Sequence, residues 1–306
     1  MRSPSAPLAV VVTADDFGIG PRTSEGIIEA HLRGPVTATS LMVVTREHAR
    51  ASISLLEKVP ALDVGLHVVL THCGHKPLAA GRSSGLVGRD GFFLSNSLLW
   101  LKAYCGGLSK VAVADEIAAQ ADMFRAFLGR NPTHVDCHHH AHQLPTTCDA
   151  LIDVIEQGIL PPVTRTTIEP PRVSRNVSGA RTKRWAAGFA GRRAAAAFGA
   201  RGIASNDYFI GMLAAGDLKK KFPWQGFLDN LPSAGLVEWV VHPGLRDDTL
   251  LGRDDYSLQR VDELEALTGP DGAKTRERMA SVLARKSLLF QSPPLTSCAS
   301  SPVVSR

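Results

Sequence analysis

Apolar runs alternate with amphipathic stretches over most of the chain, and this alternation predicts the secondary structure. Residues 8–13 form a continuous apolar run rich in valine, which predicts a strand buried on both faces of a parallel sheet. Similar runs predict strands at residues 36–44, 63–70, 133–136, 159–164, 203–210 and 235–241. Helical periodicity predicts helices at residues 24–33, 46–58, 111–128, 149–157, 187–200, 262–267 and 275–290. The alternation of strands and helices predicts an α/β fold with parallel strands.

The segment between residues 72 and 110 breaks this alternation. It is rich in glycine and shows little periodicity, so we expect long loops that cover the active face. No internal repeat or linker divides the chain, and we expect a single domain over residues 8–290. The Ser- and Pro-rich residues 291–306 have few apolar side chains to bury, which predicts a disordered tail.

The composition is typical of a soluble globular protein. The chain has 306 residues, of which 44% are hydrophobic and 21% are charged, so it can bury a sizeable core. Five cysteines, an odd number without CxxC spacing, argue against a disulfide framework and favour a reducing cytoplasm. The first residues lack the pattern of a signal peptide, and no apolar run reaches the roughly 20 residues that a membrane span needs.

The net charge of +5 arises locally, because basic residues crowd one stretch between residues 172 and 201. No recognised nucleic-acid-binding motif accompanies them, so we expect no nucleic-acid partner. A solvated basic helix, a lid and a surface for an anionic ligand remain alternative interpretations. The basic residues are Arg172, Arg175, Arg181, Lys183, Arg184, Arg192, Arg193 and Arg201.

The densest candidate chemistry is a histidine cluster, since five of the eleven histidines lie within residues 134–142. Side chains alternate between the faces of a strand, so His138, His140 and His142 would share one side if the preceding strand continued. Neutral imidazole is a common ligand of divalent metals, and the cluster therefore predicts a metal site. A solvated histidine tract is the alternative, but it is disfavoured in mid-chain after an apolar strand.

Other polar residues follow predicted strands. Asp15 and Asp16 end the first strand, His67 lies in the third, and His242 follows the last. Parallel strands of a barrel present their C-terminal ends at one face, so these side chains are expected to converge on one catalytic site. Each also has an ordinary structural alternative: a turn with a helix cap for the aspartates, a core histidine for His67 and a turn histidine for His242.

Four motifs together resemble a known family. Residues 13–18 (TADDFG), 64–67 (VGLH), 134–142 (HVDCHHHAH) and 242–244 (HPG) are similar to motifs of the YdjC-like carbohydrate deacetylases. The resemblance extends over about residues 8–267. It implies a distorted (β/α) barrel related to NodB-type polysaccharide deacetylases. It also implies a metal-dependent hydrolase that removes an N-acetyl group from a carbohydrate containing N-acetylglucosamine, such as a chitooligosaccharide.

The resemblance also assigns roles to residues. Asp16, His67 and His138 match the metal ligands, Asp15 matches the catalytic base, and His242 matches the acid or orienting group by looser analogy with NodB-type enzymes. We assign substrate contacts to His140, His142, Arg165 and Arg260. The resemblance implies Mg²⁺, whereas two imidazoles and a carboxylate favour Zn²⁺ or another divalent transition metal. The expected partner is a carbohydrate substrate, and a homodimer is left open.

The chain also departs from the family pattern. Thr13 stands where asparagine is usual, Ser24 where asparagine is common, and Cys137 where serine is usual. The arginine-rich segment has no counterpart that aligns. Alternative hypotheses are a deacetylase of a lipid-linked or other glycan, a non-haem iron oxygenase, and a non-catalytic sugar- or metal-binding protein on the same fold.

Overall fold

The computed structural model describes residues 6–71, 74–79, 85–176, 181–211, 229–250 and 256–290. In these residues, six strands form one sheet in the spatial order β4-β3-β2-β1-β6-β5, and every neighbouring pair is parallel. The central strand β1 is buried at all nine positions, as its sequence predicts. The strands are β1 Ala9–Phe17, β2 Ala38–Leu41, β3 Asp63–Val68, β4 Val135–Cys137, β5 Tyr208–Ile210 and β6 Leu236–Val241.

Helices follow most strands and cover the sheet, which confirms the predicted α/β architecture. Their buried faces pack on a large apolar core that contains side chains from β1, β2, β3 and β6. None of the described helices is both long and apolar enough to cross a bilayer. The helices are α1 Pro21–Arg33, α2 Glu47–Leu56, α3 Asn96–Tyr104, α4 Lys110–Leu128, α5 Pro145–Glu156, α6 Pro171–Asn176, α7 Arg181–Ala200, α8 Ser257–Thr268, α9 Pro270–Met279 and α10 Lys286–Leu289.

The sheet curls into a half-barrel, and single bridges continue it between its edges. Val135 in β4 pairs with Thr164, and Val163 pairs with Ala204, shortly before β5. The prediction of a strand over residues 159–164 is therefore wrong. These residues form no continuous ladder, and only Val163 and Thr164 make single bridges. Pro161 and Pro162 lack the N–H groups that a longer ladder would need. The distorted barrel expected from the family resemblance is confirmed at the level of this curled parallel sheet.

Two other element predictions need correction. The segment 72–110 is not wholly irregular, because it contains α3, whose short length and exposed leucines give little periodic signal. The predicted helix over residues 275–290 is interrupted between α9 and α10. There the backbone of residues 282–284 leaves the helical path and pairs with β1. The Val10 backbone nitrogen donates to the Val282 carbonyl, and the Ala284 nitrogen donates to the Val10 carbonyl. The predicted domain limits, 8–290, stay a prediction, and the predicted tail 291–306 lies outside the described residues.

We predict that Gly26 in α1 is required for the close approach of the loop that follows β6. A Cβ at Gly26 would lie 2.6 Å from both the Gly244 Cα and the Leu245 backbone nitrogen, and backbone cannot easily move away. Gly26→Ala should lower the free energy of unfolding by about 1–3 kcal/mol. The control is Gly199→Ala in α7, where a Cβ would meet nothing within 4 Å and the free energy should rise by up to about 1 kcal/mol. Denaturant titration of both variants measures the two shifts, and equal shifts would contradict the packing argument.

Candidate metal centre and active site

A break in β1 sends two adjacent carboxylates to different partners. The register of β1 against β2 shifts between Ala14 and Phe17, and Asp16 has a left-handed backbone with φ of 68°. This conformation is uncommon for a residue other than glycine, although Asp tolerates it better than most. As a result, Asp15 contacts Arg165, whereas Asp16 contacts two histidines and Arg260.

Asp16, His67 and His138 bring one potential ligand atom each to within 4.8 Å of one another. The Asp16 Oδ1 atom lies 3.3 Å from His67 Nε2 and 3.1 Å from His138 Nδ1. The other oxygen, Oδ2, accepts a hydrogen bond from the Arg260 guanidinium at 2.7 Å. The three residues predicted as metal ligands therefore meet at one point, and their donor set of two imidazoles and one carboxylate fits a divalent transition metal.

Asp136 orients His67 from the neighbouring strand. The two residues are register partners in β3 and β4, and His67 Nδ1 lies 2.6 Å from Asp136 Oδ1. A proton on Nδ1 directed at this carboxylate leaves Nε2 facing Asp16, as a metal ligand requires. Burial alone would lower the pKa of His67, but the charges of Asp15 and Asp136 outweigh it and raise the pKa to about 10. A metal at this site therefore displaces a proton that the surrounding carboxylates hold.

The fully buried Arg165 joins three strands through their carboxylates. Its guanidinium donates to both Asp15 oxygens at 2.6 and 2.8 Å, and its Nε donates to Glu238 Oε1 at 2.8 Å. It also lies 2.6 Å from Asp136 Oδ2. Burial opposes the charge of Arg165, but these three carboxylates raise its pKa above the ordinary value. Arg165 thus holds Asp15 in a fixed position and stays charged.

The network carries an excess of negative charge. Lys286 from α10 donates to Glu238 Oε1 at 2.7 Å and adds a second buried cation beside Arg165. Four carboxylates of the described network face three fixed cations, and a proton on His67 or a divalent cation supplies the missing positive charge. These groups are Asp15, Asp16, Asp136 and Glu238, and Arg165, Arg260 and Lys286.

The histidines after His138 do not line one face of a strand, which corrects the expected alternation. The strand ends at Cys137, and residues His138–Gln143 form a 3-10 turn in which His139 and His140 have φ of 56° and 55°. The turn directs His138 toward Asp16. His142 is buried and its Nε2 lies 2.8 Å from the Arg165 carbonyl, so its nearest polar partner is the protein backbone.

Of the four residues assigned to substrate, His140 lines a cavity formed by described residues. Its ring packs edge-on against Phe209, and it lines a space of about 460 Å³ beside His139. Arg165, Arg260 and His142 are each no more than 2% exposed, and their described contacts are with protein groups. Their burial suits residues that position the site, and their assignment to substrate contacts stays a prediction.

His242 lies half-buried at the end of β6, as its position in the sequence predicts. Its backbone nitrogen donates to Glu263 Oε2 at 2.6 Å, and its ring packs edge-on against Tyr256 at 5.4 Å. Glu263 also accepts a hydrogen bond from the Tyr256 hydroxyl at 2.9 Å. These contacts from α8 and the residue before it fix the start of the His242–Gly244 turn.

The motif spacing and this geometry agree with the comparison of the whole sequence. A sequence profile described as YdjC-like protein matches residues 9–278. The chain belongs to the YdjC-like protein family. This YdjC-like chain is 32% identical over 266 residues to a chitooligosaccharide deacetylase of Yersinia enterocolitica, covering 85% of the chain and 91% of that protein.

Other relatives match over shorter ranges or in fold. A carbohydrate deacetylase of Mus musculus is 39% identical over 147 residues, which is 48% of this chain and about half (47%) of the mouse protein's length. A crystal structure of an Enterococcus faecalis V583 protein, named for cellobiose-phosphate cleavage, superposes with a TM-score of 0.72. That match covers 93% of this chain and 99% of the other at 24% identity, and it supports the shared fold alone.

Sequence reasoning missed three members of the site of this YdjC-like protein. Asp136 lies inside the histidine motif but received no role, and neither Glu238 nor Lys286 was considered. Glu238 has a recognisable signal, because it is the one carboxylate within the otherwise apolar strand β6. A charged residue inside a buried strand needs a charged partner, and Arg165 and Lys286 are those partners.

We predict that Arg165→Met destabilises the fold by about 3–5 kcal/mol at neutral pH, because it leaves three buried carboxylates without their shared cation. Burial would raise the pKa of Glu238, but Arg165 and Lys286 lower it from 4.5 to about 2. This carboxylate therefore stabilises the native fold above pH 4.5, and that contribution is lost as the pH falls toward 2.

The loss of unfolding free energy caused by Arg165→Met should consequently be smaller at pH 4 and below than at neutral pH. At low pH the unpaired carboxylates can be protonated. The control is Arg201→Met, which removes an exposed ion pair with Glu156 and should cost less than about 1 kcal/mol. Denaturant unfolding at several pH values measures both. A loss of equal size for the two variants would show that the network does not stabilise the fold.

Proposed function

We propose that this chain is a metal-dependent carbohydrate deacetylase that hydrolyses the N-acetyl group of a sugar containing N-acetylglucosamine. The supporting observation is the meeting of Asp16, His67 and His138 at one point, with Asp15 held beside them by Arg165. The names of the relatives from Yersinia enterocolitica and Mus musculus, both deacetylases of carbohydrates, support the same reaction class.

A divalent cation bound by Asp16, His67 and His138 would polarise the acetyl carbonyl and acidify the attacking water. Asp15 accepts the proton of that water as general base. Arg165 holds both Asp15 oxygens, so the carboxylate is oriented before substrate binds. Asp136 keeps the proton of His67 on Nδ1 and leaves Nε2 available.

His242 completes the proposed reaction as the proton donor to the leaving amine. It sits at the end of β6, next to β1, and its backbone is held by Glu263. Water adds to the acetyl carbon, the carbon–nitrogen bond breaks, and the products are acetate and a free amino sugar. Asp15 and His242 come from the ends of two adjacent parallel strands, so base and acid lie at the same end of the sheet.

For the metal and the substrate we propose a class and not one identity. The ligand set favours Zn²⁺ or another divalent transition metal over Mg²⁺, which prefers carboxylates and water. A chitooligosaccharide is the first substrate to test, and a lipid-linked glycan is the alternative because of the basic segment that includes α7. A cytoplasmic location and a homodimer stay predictions.

We expect purified protein to release acetate from diacetylchitobiose, and a chelator to abolish this release. The loss should be about 100-fold or more, because the carbonyl would lack its Lewis acid. Adding Zn²⁺, Mn²⁺, Co²⁺ or Mg²⁺ separately should restore activity with one ion best. Acetate release that persists after metal removal, verified by elemental analysis, would contradict metal dependence.

Asp15→Asn should keep its bound metal and lose about 100- to 10,000-fold in turnover, since it removes the base and leaves the metal ligands in place. His67→Ala should lose the metal together with activity. Acetate release and metal content, measured on the same preparations, separate the two effects. Asp153→Asn, which alters a surface ion pair with Lys110, is the control and should change neither. Near-normal turnover of Asp15→Asn would refute the assignment of Asp15 as base.

A further inference from the structure

Exposed apolar side chains concentrate on two helices beside the candidate active site. Five of the nine large apolar residues that are exposed among the described residues lie on α3 and α7. On α7, Trp185 is 70% exposed and Phe189 is 50% exposed, and their rings stack at 6.1 Å. On α3 the corresponding residues are Leu98, Leu101 and Tyr104. Clustered aromatic and aliphatic side chains on a surface indicate an interaction site.

Residues of both helices line the cavity that contains His139 and His140. Trp100 of α3 and Ala187 of α7 line the cavity of about 460 Å³, together with His139 and His140. His139 packs against the candidate metal ligand His138, with ring centroids 3.9 Å apart. The exposed residues of α3 and α7 therefore lie on the same two helices that line this cavity, beside the candidate site.

The charge on α7 indicates what covers this face. The helix sequence contains five Arg or Lys residues and no Asp or Glu, and α3 contains one Lys and no acid. Arg184 is used internally, in an ion pair with Glu169. Arg192 and Arg193 are exposed, and the 3.6-residue repeat places both on the side of α7 that carries Trp185 and Phe189. Exposed aromatic rings insert at the headgroup boundary of a bilayer, and neighbouring arginines are attracted to anionic lipids, so this combination fits an anionic membrane surface.

We propose that the outer faces of α3 and α7 form a docking surface for an anionic phospholipid bilayer. Trp185, Phe189 and Leu101 insert among the headgroups, while Arg192 and Arg193 contact lipid phosphates. The cavity lined by the same two helices then lies close to the membrane surface, within reach of a glycan attached to a lipid. This surface contact does not depend on the proposed deacetylation, so each can fail without the other.

Vesicle co-sedimentation of the full chain tests the proposal. The probes are vesicles of phosphatidylcholine alone and vesicles that also contain phosphatidylglycerol. Wild-type protein should bind the mixed vesicles and not the neutral ones, and added salt should weaken binding. Trp185→Ser/Phe189→Ser should bind at least about tenfold more weakly because it removes the inserted aromatics. Arg192→Glu/Arg193→Glu should show a similar loss because it reverses two surface charges.

Matched controls come from exposed residues elsewhere. Leu32→Ser/Leu258→Ser removes comparable apolar exposure, and Arg50→Glu/Arg130→Glu reverses two other exposed charges. Both controls should bind vesicles like wild type or within about threefold of it, allowing for the change in net charge. All variants should keep the wild-type circular dichroism spectrum and the same activity on a soluble substrate, since none of these residues belongs to the catalytic site.

Three results would overturn the proposal: equal binding of wild-type protein to neutral and mixed vesicles, no binding to either, and an equal loss in the control variants. Light scattering tests the other occupant of this face, a second copy of the chain. If Trp185→Ser/Phe189→Ser converts a dimer to a monomer and vesicle binding is absent, the face is an interface between copies and not a membrane surface.

Discussion

A single buried guanidinium, that of Arg165, joins three strands of the sheet beside the candidate metal centre. Carboxylates from β1, β4 and β6 contact Arg165. β6 is a neighbour of β1, β4 lies three strands away from β1 at the edge of the sheet, and all three carboxylates are distant in sequence. Removing an arginine from water is costly, and only full engagement of its donors offsets that cost. Three carboxylates converge on this one side chain, and two of them, Asp15 and Asp136, also lie beside the candidate metal ligand His67.

This shared cation couples the two functions of the adjacent aspartates. Asp15 and Asp16 differ by one position, yet the left-handed backbone of Asp16 gives the first to Arg165 and the second to the histidines. Asp136 connects the histidine side of the network to the arginine side, because its Oδ1 contacts His67 and its Oδ2 contacts Arg165. The proposed base and the proposed metal ligands are therefore joined through Arg165 and Asp136 in one network of buried charges.

The sequence was sufficient for the α/β fold and for the residues that gather at the strand ends, since both follow from local patterns. Apolar runs mark β1 and β6, and motif spacing marks Asp16, His67 and His138. The ion-pair partners of these residues are harder to predict, because Arg165 and Glu238 lie far from them in sequence and no local pattern pairs them. Which cation neutralises which carboxylate depends on contacts across the whole sheet. The turn after Cys137 was also missed, because positive φ at two histidines has no sequence signature.

The pairing of residues 282–284 with Val10, and of Lys286 with Glu238, has a consequence for synthesis on the ribosome. β1 emerges early from the ribosome. The backbone that pairs with Val10 comes from residues 282–284, and the ammonium group that pairs with Glu238 comes from Lys286. Until that residue leaves the exit tunnel, β1 carries exposed backbone groups and Glu238 lacks one of its two cations. The polar centre of the sheet can therefore be completed only late in synthesis, after most of the domain has emerged.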